Sequence, residues 1–176
     1  MVHVEVVSTD DLGDRSYLVH DGVYAVVVDP QRDVDRIEKS LAGLGVRCAM
    51  VLETHIHNDY VTGGYELARR TGCPYVVSAG DDVSFDRVAV RDGDQLSVGS
   101  MRVWVLSTPG HTATHVSYVI STGDGVPAVF TGGSMLYGSV GRTDLVDAKR
   151  TDDLPRAQFR SVRRLADELP DATAVY

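Results

Sequence analysis

One short apolar run followed by two closely spaced histidines constrains this chain more than any other stretch. Residues 48–52, Cys-Ala-Met-Val-Leu, have the length and composition of a buried strand, and Glu-Thr-His-Ile-His-Asn-Asp-Tyr follows directly as residues 53–60. The pair His55 and His57 therefore lies in a loop at the end of a strand, where ligand sites gather in α/β proteins. Because one residue separates the two histidines, an extended loop can turn both rings toward one point.

A third histidine follows a second predicted strand. Residues 101–106 alternate between the two faces of a sheet, and the turn Pro109-Gly110 that follows would aim His111 off the sheet edge. Each of these histidines alone is commonly a solvated loop residue, with Asp59 serving as a helix N-cap. Three neutral imidazoles at strand ends, however, can share one borderline metal ion. Together they predict a metal site at this edge.

The order of the predicted elements indicates two stacked sheets with helices outside, in one domain that spans residues 1–176. Asp21-Gly22 joins residues 16–20 and 24–29 as a hairpin, and Asp92-Gly93 lies between two further short strands. The remaining strands are predicted at residues 2–7, 48–52, 75–77, 88–90, 95–98, 101–106, 116–120 and 128–130.

Three segments suit helices. Asp33 is predicted to cap the first helix, which Gly45 ends and whose apolar positions are Val34, Ile37, Leu41 and Leu44. The second helix is closed by Gly72. Asp153 and Pro155 open the third helix, one face of which is lined by Val162, Leu165, Ala166 and Leu169.

The composition argues against several classes of protein. A net charge of −8 without a basic run argues against a nucleic-acid or anionic-membrane binder. No apolar run approaches the roughly 20 residues of a membrane span, and no signal peptide is visible. Cys48 and Cys73 imply no disulfide framework and are expected to be core thiols in a reducing compartment. We therefore expect a soluble cytoplasmic protein.

Four motifs in this order resemble the metallo-β-lactamase superfamily, in its persulfide dioxygenase and glyoxalase II branch. The subgroup it resembles most is the bacterial one whose domain is often fused to rhodanese domains. The motifs are Thr54-His55-x-His57-x-Asp59, Pro109-Gly110-His111-Thr112, Phe130-Thr131-Gly132 and Gly141-Arg142-Thr143-Asp144. The resemblance implies an α+β fold, the αββα sandwich of two mixed sheets flanked by helices, with the metal at one edge of the paired sheets.

The resemblance also implies roles for individual residues. His55, His57 and His111 match the ligands of one divalent metal, zinc or iron. Asp59 matches the acid that binds a second metal in two-metal relatives and orients water in one-metal relatives. Asp59 is therefore the candidate catalytic base.

Further residues are candidates to bind substrate, each beside a simpler interpretation. Tyr60 and Tyr137 could donate hydrogen bonds to a bound thiol, although Tyr60 could equally fill the space of an absent second metal. Arg142 could grip a substrate carboxylate, although a buried Arg142–Asp144 pair that braces the loop is the simpler interpretation. His115 lies in a strand lead-in, where facing the site is the minority expectation.

Three features depart from the family pattern. Tyr60 stands where a histidine is usual, and Gly133 stands where an aspartate is usual. A second metal would keep only Asp59, so we expect no dinuclear centre, and Gly133→Asp is expected to raise metal affinity. The sequence ends at Tyr176, which leaves a fragment, a natural truncation and a separately encoded domain as interpretations.

Three functions follow from these matches and departures. The first is a mononuclear metal-dependent hydrolase or sulfur dioxygenase-like enzyme that acts on a thiol-derived small molecule, a persulfide or a thioester. The second is a degenerate domain that binds such a molecule without turnover. The third is a regulatory module that needs a rhodanese-like partner. The exposed strand edges leave room for a homodimer, which the pattern does not require.

Overall fold

Two mixed β-sheets dominate the computed structural model, which describes residues 2–9, 13–58, 60–144 and 153–176. The first sheet has six strands in chain order: β1 (His3–Thr9), β2 (Asp14–His20), β3 (Tyr24–Val28), β4 (Arg47–Leu52), β5 (Tyr75–Ser78) and β6 (Val88–Val90). The first three strands pair antiparallel, whereas β3 to β6 pair in parallel. The carboxyl ends of β3, β4 and β5 therefore meet at one edge.

The second sheet has five strands in the order β11-β10-β9-β8-β7. These are β7 (Gln95–Val98), β8 (Met101–Ser107), β9 (Val116–Thr122), β10 (Ala128–Phe130) and β11 (Ala174–Val175). All pairs are antiparallel except β10 with β11. The turn at Asp92-Gly93 thus joins strands of different sheets, because β6 pairs with β5 and β7 pairs with β8.

Three helices cover the outer faces of the two sheets in the part of the chain that the structure describes. They are α1 (Val34–Leu44), α2 (Gly64–Thr71) and α3 (Asp153–Glu168). Side chains of α1 and α2 pack with the first sheet, and Leu165 of α3 packs with Val119 and Val129 of the second. Between the sheets lies a separate core that includes Val26, Leu52, Val76, Val103, Tyr118 and Phe130. The layers therefore run helix, sheet, sheet, helix, which confirms the predicted αββα sandwich.

The hairpin and the helix ends confirm the local predictions. Asp21 accepts hydrogen bonds from the backbone N–H of Val23 and Tyr24 at 3.0 and 2.9 Å. Gly45 and Gly72 end the first two helices in the left-handed conformation, at φ 67° and 69°. That conformation suits a residue without Cβ.

Two predicted details of the helices were wrong. The side chain of Asp33 makes no capping hydrogen bond and contacts Arg36 at 3.0 Å instead. The buried residues of α3 are Leu154, Gln158, Ser161 and Leu165, whereas Ala166 is exposed. The face is partly polar because α3 packs on loops whose carbonyl groups need donors. In particular, Ser161 Oγ donates to the carbonyl of Pro109 at 2.7 Å, two residues before His111.

The described residues contain no helix that is both long enough and apolar enough to cross a membrane.

Candidate metal centre

The centre begins where two neighbouring strands end. Val28 of β3 is in register with Leu52 of β4, so the residues that follow them, Asp29 and Glu53, emerge side by side. The backbone N–H of Asp29 donates to the carbonyl of Leu52 at 2.9 Å. Asp29 is also the one described non-glycine residue with a positive φ, 47°. Such a conformation is uncommon outside glycine and directs this carboxylate into the interior.

The imidazole of His57 lies between these two carboxylates. Its Nε2 is 3.3 Å from Asp29 Oδ1, 3.4 Å from Glu53 Oε2 and 3.0 Å from the hydroxyl of Tyr60. The side chains of His57, Asp29 and Glu53 are only 6, 5 and 1% exposed. A buried N–H that faces two carboxylates holds its proton there, so Nδ1 is the nitrogen available to a ligand.

Burial and mutual charge shift the pKa values of this cluster in different directions. Burial raises the pKa of Glu53 above its usual range, and the charge of Asp29 adds to that effect. Burial would also raise the pKa of Asp29, but the charge and hydrogen bond of His57 outweigh it and the pKa is lowered. For His57, burial lowers the pKa and is outweighed by Asp29 and Glu53, which raise it. The cluster therefore favours an ionised Asp29.

His55 is oriented by the same aspartate through a threonine. The hydroxyl of Thr54 donates to Asp29 Oδ2 at 2.7 Å and lies 2.9 Å from His55 Nδ1. Because that hydroxyl already donates its one hydrogen to the carboxylate, it accepts a hydrogen bond from His55 Nδ1–H. The lone pair of the neutral His55 ring is then on Nε2. Asp29 consequently fixes the tautomers of both histidines in the loop.

His111 lies in a slot between two glycines. A Cβ on Gly133 would overlap Cδ2 of the His111 ring and lie 2.8 Å from its Nε2. A Cβ on Gly141 would lie 2.8 Å from His111 Nδ1. Inside the slot, His111 Nδ1 donates to the carbonyl of Arg142 at 2.7 Å, which leaves the lone pair on Nε2. The ring of His111 thus fills the space that a side chain at position 133 would need.

Three imidazoles pack around the ring of His55. Its ring centroid is 4.0 Å from His57, 4.8 Å from His111 and 4.9 Å from His115. His115 is fully buried, and its Nδ1 lies 3.0 Å from the hydroxyl of Thr108. Burial lowers the pKa of His115 well below its usual value, so the ring is neutral. The structure therefore places His115 beside two of the predicted ligands, His55 and His111.

The three predicted ligands suit a metal in type and in tautomer. Each of His55, His57 and His111 has one ring nitrogen hydrogen-bonded within the protein, as metal-bound histidines usually do. Their rings pack together without bringing all three donor atoms within 4.8 Å. In the described part of the chain, only Asp29, Glu53 and His57 form a group of three that meets that distance.

Comparison with known proteins identifies the family of this chain. A family model described as the metallo-beta-lactamase superfamily matches residues 10–176. This chain belongs to that superfamily. A hydroxyacylglutathione hydrolase from Prochlorococcus marinus is 35% identical over 161 residues, which are 88% of this chain and 58% of that protein. Against ETHE1 from Myxococcus xanthus the TM-score is 0.86, at 33% identity, covering 99% of this chain and 74% of that one.

A third relative concerns the metal. A solved structure described as a di-iron-bound form has a TM-score of 0.77 at 26% identity, covering 98% of this chain and 90% of that one. These relatives place the chain in the glyoxalase II and persulfide dioxygenase-like branch of the metallo-beta-lactamase superfamily. Members of the superfamily bind divalent metals such as zinc or iron. The chain spans less than two thirds of the curated relatives it matches, 59 and 58% of two of them.

The other residues predicted for the site differ in where the structure places them. Asp59 lies outside the described residues, and its catalytic role stays a prediction. The Tyr60 hydroxyl points inward, to His57 and to the carbonyl of Asp29 at 3.4 Å, so the structure gives it an orienting contact. Tyr137 is fully exposed on the loop that follows β10. Substrate contacts of Tyr60 and Tyr137 stay predictions.

Arg142 pairs with Asp144 through two hydrogen bonds of 3.0 and 2.9 Å, as the simpler interpretation predicted. The pair was predicted to be buried, which was wrong, because the two side chains are 70 and 55% exposed. Because the ion pair is exposed to solvent, it adds little to the stability of the folded protein. The part of Arg142 that touches the centre is its carbonyl group, on His111.

Sequence reasoning missed Asp29, Glu53 and Thr54 as members of the centre. A signal was present for Asp29, which directly follows an apolar strand and precedes a proline. The sequence offered less signal for Glu53, whose partner Tyr75, at 3.1 Å, lies 22 positions away and outside every motif. Only the pairing of β3, β4 and β5 brings Asp29, Glu53 and Tyr75 together.

Proposed function

We propose that this chain is a mononuclear metal-dependent hydrolase that cleaves the thioester of a small thiol, with His55, His57 and His111 as the metal ligands. One observation carries the proposal. Each of the three imidazoles has its proton held by a protein acceptor, on Thr54, on the carboxylate pair and on the Arg142 carbonyl. Three rings with fixed tautomers form the kind of donor set that catalytic zinc uses.

The residues around the three ligands supply orientation. Asp29 and Glu53 fix the ring of His57, and the two-glycine slot fixes the ring of His111. When bound, the metal would polarise the thioester carbonyl and lower the pKa of water. We assign Asp59 as the base that takes the proton from that water, and Tyr137 and Arg142 as contacts for the thiol portion.

Zinc hydrolysis is favoured over iron chemistry by the donor types. Oxygen-activating Fe(II) usually needs two histidines and one carboxylate. The aspartate that relatives are expected to have at position 133 is glycine here, and the His111 ring leaves no space for a side chain there. The likeness to hydroxyacylglutathione hydrolases supports the same choice, since that name denotes the hydrolysis of a hydroxyacyl conjugate of glutathione.

A sulfur dioxygenase that acts on a persulfide is the second candidate. The 33% identity to ETHE1 over 99% of this chain favours it, as does the di-iron relative. In this case Asp59 would supply the carboxylate that position 133 lacks. A domain without turnover that binds a rhodanese-like partner, in the cytoplasm, as a monomer or a homodimer, is the third.

The deciding experiment combines metal analysis with two assays on the full chain purified without added metal or chelator. We expect about one equivalent of zinc and hydrolysis of an S-acyl glutathione, with no oxygen uptake on glutathione persulfide. One equivalent of iron with oxygen uptake would replace the hydrolase by the dioxygenase. Protein that takes up neither metal on titration would overturn both enzymes and leave the binding module.

A further inference from the structure

The two cysteines of the chain lie against each other, although they are 25 positions apart in the sequence. Cys48 is in β4, and Cys73 follows the end of α2. Their sulfur atoms are 3.7 Å apart, and both residues are half-buried. The sequence had predicted two core thiols without relating them to each other, and the fold brings them into contact. Neither thiol belongs to the metal centre.

The pair is placed so that a disulfide would enclose part of the centre. From Cys48, β4 continues to Leu52 and leads directly into the loop that carries His55 and His57. α2 follows that loop and ends at Thr71, two residues before Cys73. A bond between the two sulfur atoms would therefore close a covalent ring around two of the three predicted ligands.

Both thiols are reached from the surface by open grooves. Cys48 and Arg47 line a groove of about 510 Å³ beside α1. Cys73 lines another, of about 420 Å³, together with Arg69 and Arg87. Glu38 also lines the first groove and Asp86 the second, so the charged side chains do not select a reactant of one sign. A buried structural thiol pair would have neither opening.

The two thiols differ in reactivity. The hydrogen bond between them lowers the pKa of Cys73 and raises that of Cys48. The hydroxyl of Thr71 also lies 3.2 Å from the sulfur of Cys73. The thiolate is the reactive form, so Cys73 is the attacking group and Cys48 the resolving one.

We propose that Cys48 and Cys73 form a redox site, in which a low-molecular-weight disulfide converts the two thiols into an intramolecular disulfide that restrains the loop of His55 and His57. The thiolate of Cys73 attacks one sulfur of the small disulfide, whose S–S bond breaks and releases one small thiol. The sulfur of Cys48 then loses its proton and attacks Cys73, which releases the second small thiol. Two electrons pass to the small disulfide, and the protein sulfurs close from 3.7 Å to about 2.05 Å.

The test uses the full chain in glutathione buffers of increasing oxidised fraction, followed by intact mass and peptide mapping. We expect a loss of two hydrogens and a Cys48–Cys73 cross-link, reversed by a reductant. Cys48→Ser should instead trap one glutathione on Cys73, and Cys73→Ser should remain largely unmodified. Protein that stays reduced, a cross-link between two chains, or glutathione on both cysteines of the unmodified chain would overturn the site.

A second measurement tests the restraint of the loop. Amide hydrogen exchange in residues 53–58 is expected to slow by roughly tenfold on oxidation, because the cross-link limits the opening of that segment. The double variant Cys48→Ser/Cys73→Ser, treated identically, should show no change. Equal exchange in the oxidised and reduced chain would overturn the restraint. Mapping of the unmodified chain decides the cross-link even if a serine variant fails to fold.

Discussion

Nε2 of His57 lies 3.3 Å from Oδ1 of Asp29, and this buried contact joins the ends of two strands. The same carboxylate accepts the backbone N–H of Thr54 at 2.7 Å and the Thr54 hydroxyl at 2.7 Å. One side chain thus orients His57 directly and His55 through Thr54. The geometry of two predicted ligands depends on a residue that binds no metal in our assignment.

Asp29→Asn is expected to lower metal affinity by roughly 10- to 100-fold while the chain stays folded. Asparagine tolerates the positive φ of this position. Its NH₂ group, however, would replace a carboxylate oxygen that accepts a hydrogen bond, and an NH₂ group cannot accept from the donor that it would face. Competition with a chromophoric chelator measures the affinity. Asp124→Asn, in an exposed turn, makes the same change away from the centre and should leave the affinity unaltered.

His111→Ala should abolish tight metal binding because it removes one of three ligands. Its slot is walled by backbone, so the fold should persist, as judged by circular dichroism. His3→Ala, at an exposed position in β1, is the matched control and should retain one equivalent of metal. Equal metal content in the two variants would disprove the ligand assignment.

Gly133→Ala is expected to lower metal affinity by roughly tenfold or more, about 1.4 kcal/mol. The new Cβ would overlap the His111 ring, which must leave its slot. Gly133→Asp should show the same loss, contrary to the gain expected from the sequence, because the carboxylate can enter only by displacing a ligand. Gly43→Ala, in α1 with open space around it, is the control. If Gly133→Asp binds metal more tightly than both Gly133→Ala and the parent, the ring of His111 can move out of its slot without loss of the site.

Tyr60→Phe separates an orienting role from a substrate role. The variant keeps the ring that stacks on His57 at 4.2 Å and loses the hydroxyl, at a cost of about 1 kcal/mol. We expect a several-fold loss of metal affinity with KM for the thioester unchanged. Tyr137→Phe, at a fully exposed position, should raise KM and leave metal affinity intact. The reverse pattern would exchange the two roles.

Asp21 gives the fold a pH dependence that is separate from the centre. Hydrogen bonds from the backbone of Tyr24, and then of Ser100 and Val23, lower its pKa to about 2. A carboxyl whose folded pKa is depressed stabilises the protein above its unfolded pKa and loses that effect as pH falls through the folded one. The advantage of the parent over Asp21→Asn in urea unfolding should therefore be full above about pH 5 and vanish near pH 2. A difference independent of pH would exclude the carboxylate charge as its source.

The sequence predicted the parts of this fold that are encoded locally. The Asp21-Gly22 hairpin and the helix ends at Gly45 and Gly72 each depend on a few adjacent residues, and each was confirmed. The polar buried face of α3 was not predicted. Its Gln158 and Ser161 serve the loops of Ser134 and Pro109, which lie far from them in the chain.

The candidate site likewise contains residues that local motifs identify and residues that only the folded topology brings together. Motif spacing identified the three histidines, because their loops directly follow strands. Asp29 becomes a partner of His57 only through the parallel pairing of β3 and β4, which no local pattern specifies, whereas Glu53 lies four residues before His57 in the same segment. The contact of Cys48 with Cys73 depends likewise on how α2 returns to the sheet. Polar groups that recognise each other across strands need the topology first.

The two-glycine slot around His111 also limits how this chain can evolve. An acidic residue arriving at position 133 meets an imidazole that fills its space, so that step is expected to be harmful on its own. Shrinking residue 111 first would open the space but remove the ligand that the acid was to complement. Both single-step paths to a carboxylate-bearing centre are thus expected to lower metal affinity. Gly133 and the His111 ring constrain each other, so a substitution at either position is expected to need a compensating change at the other.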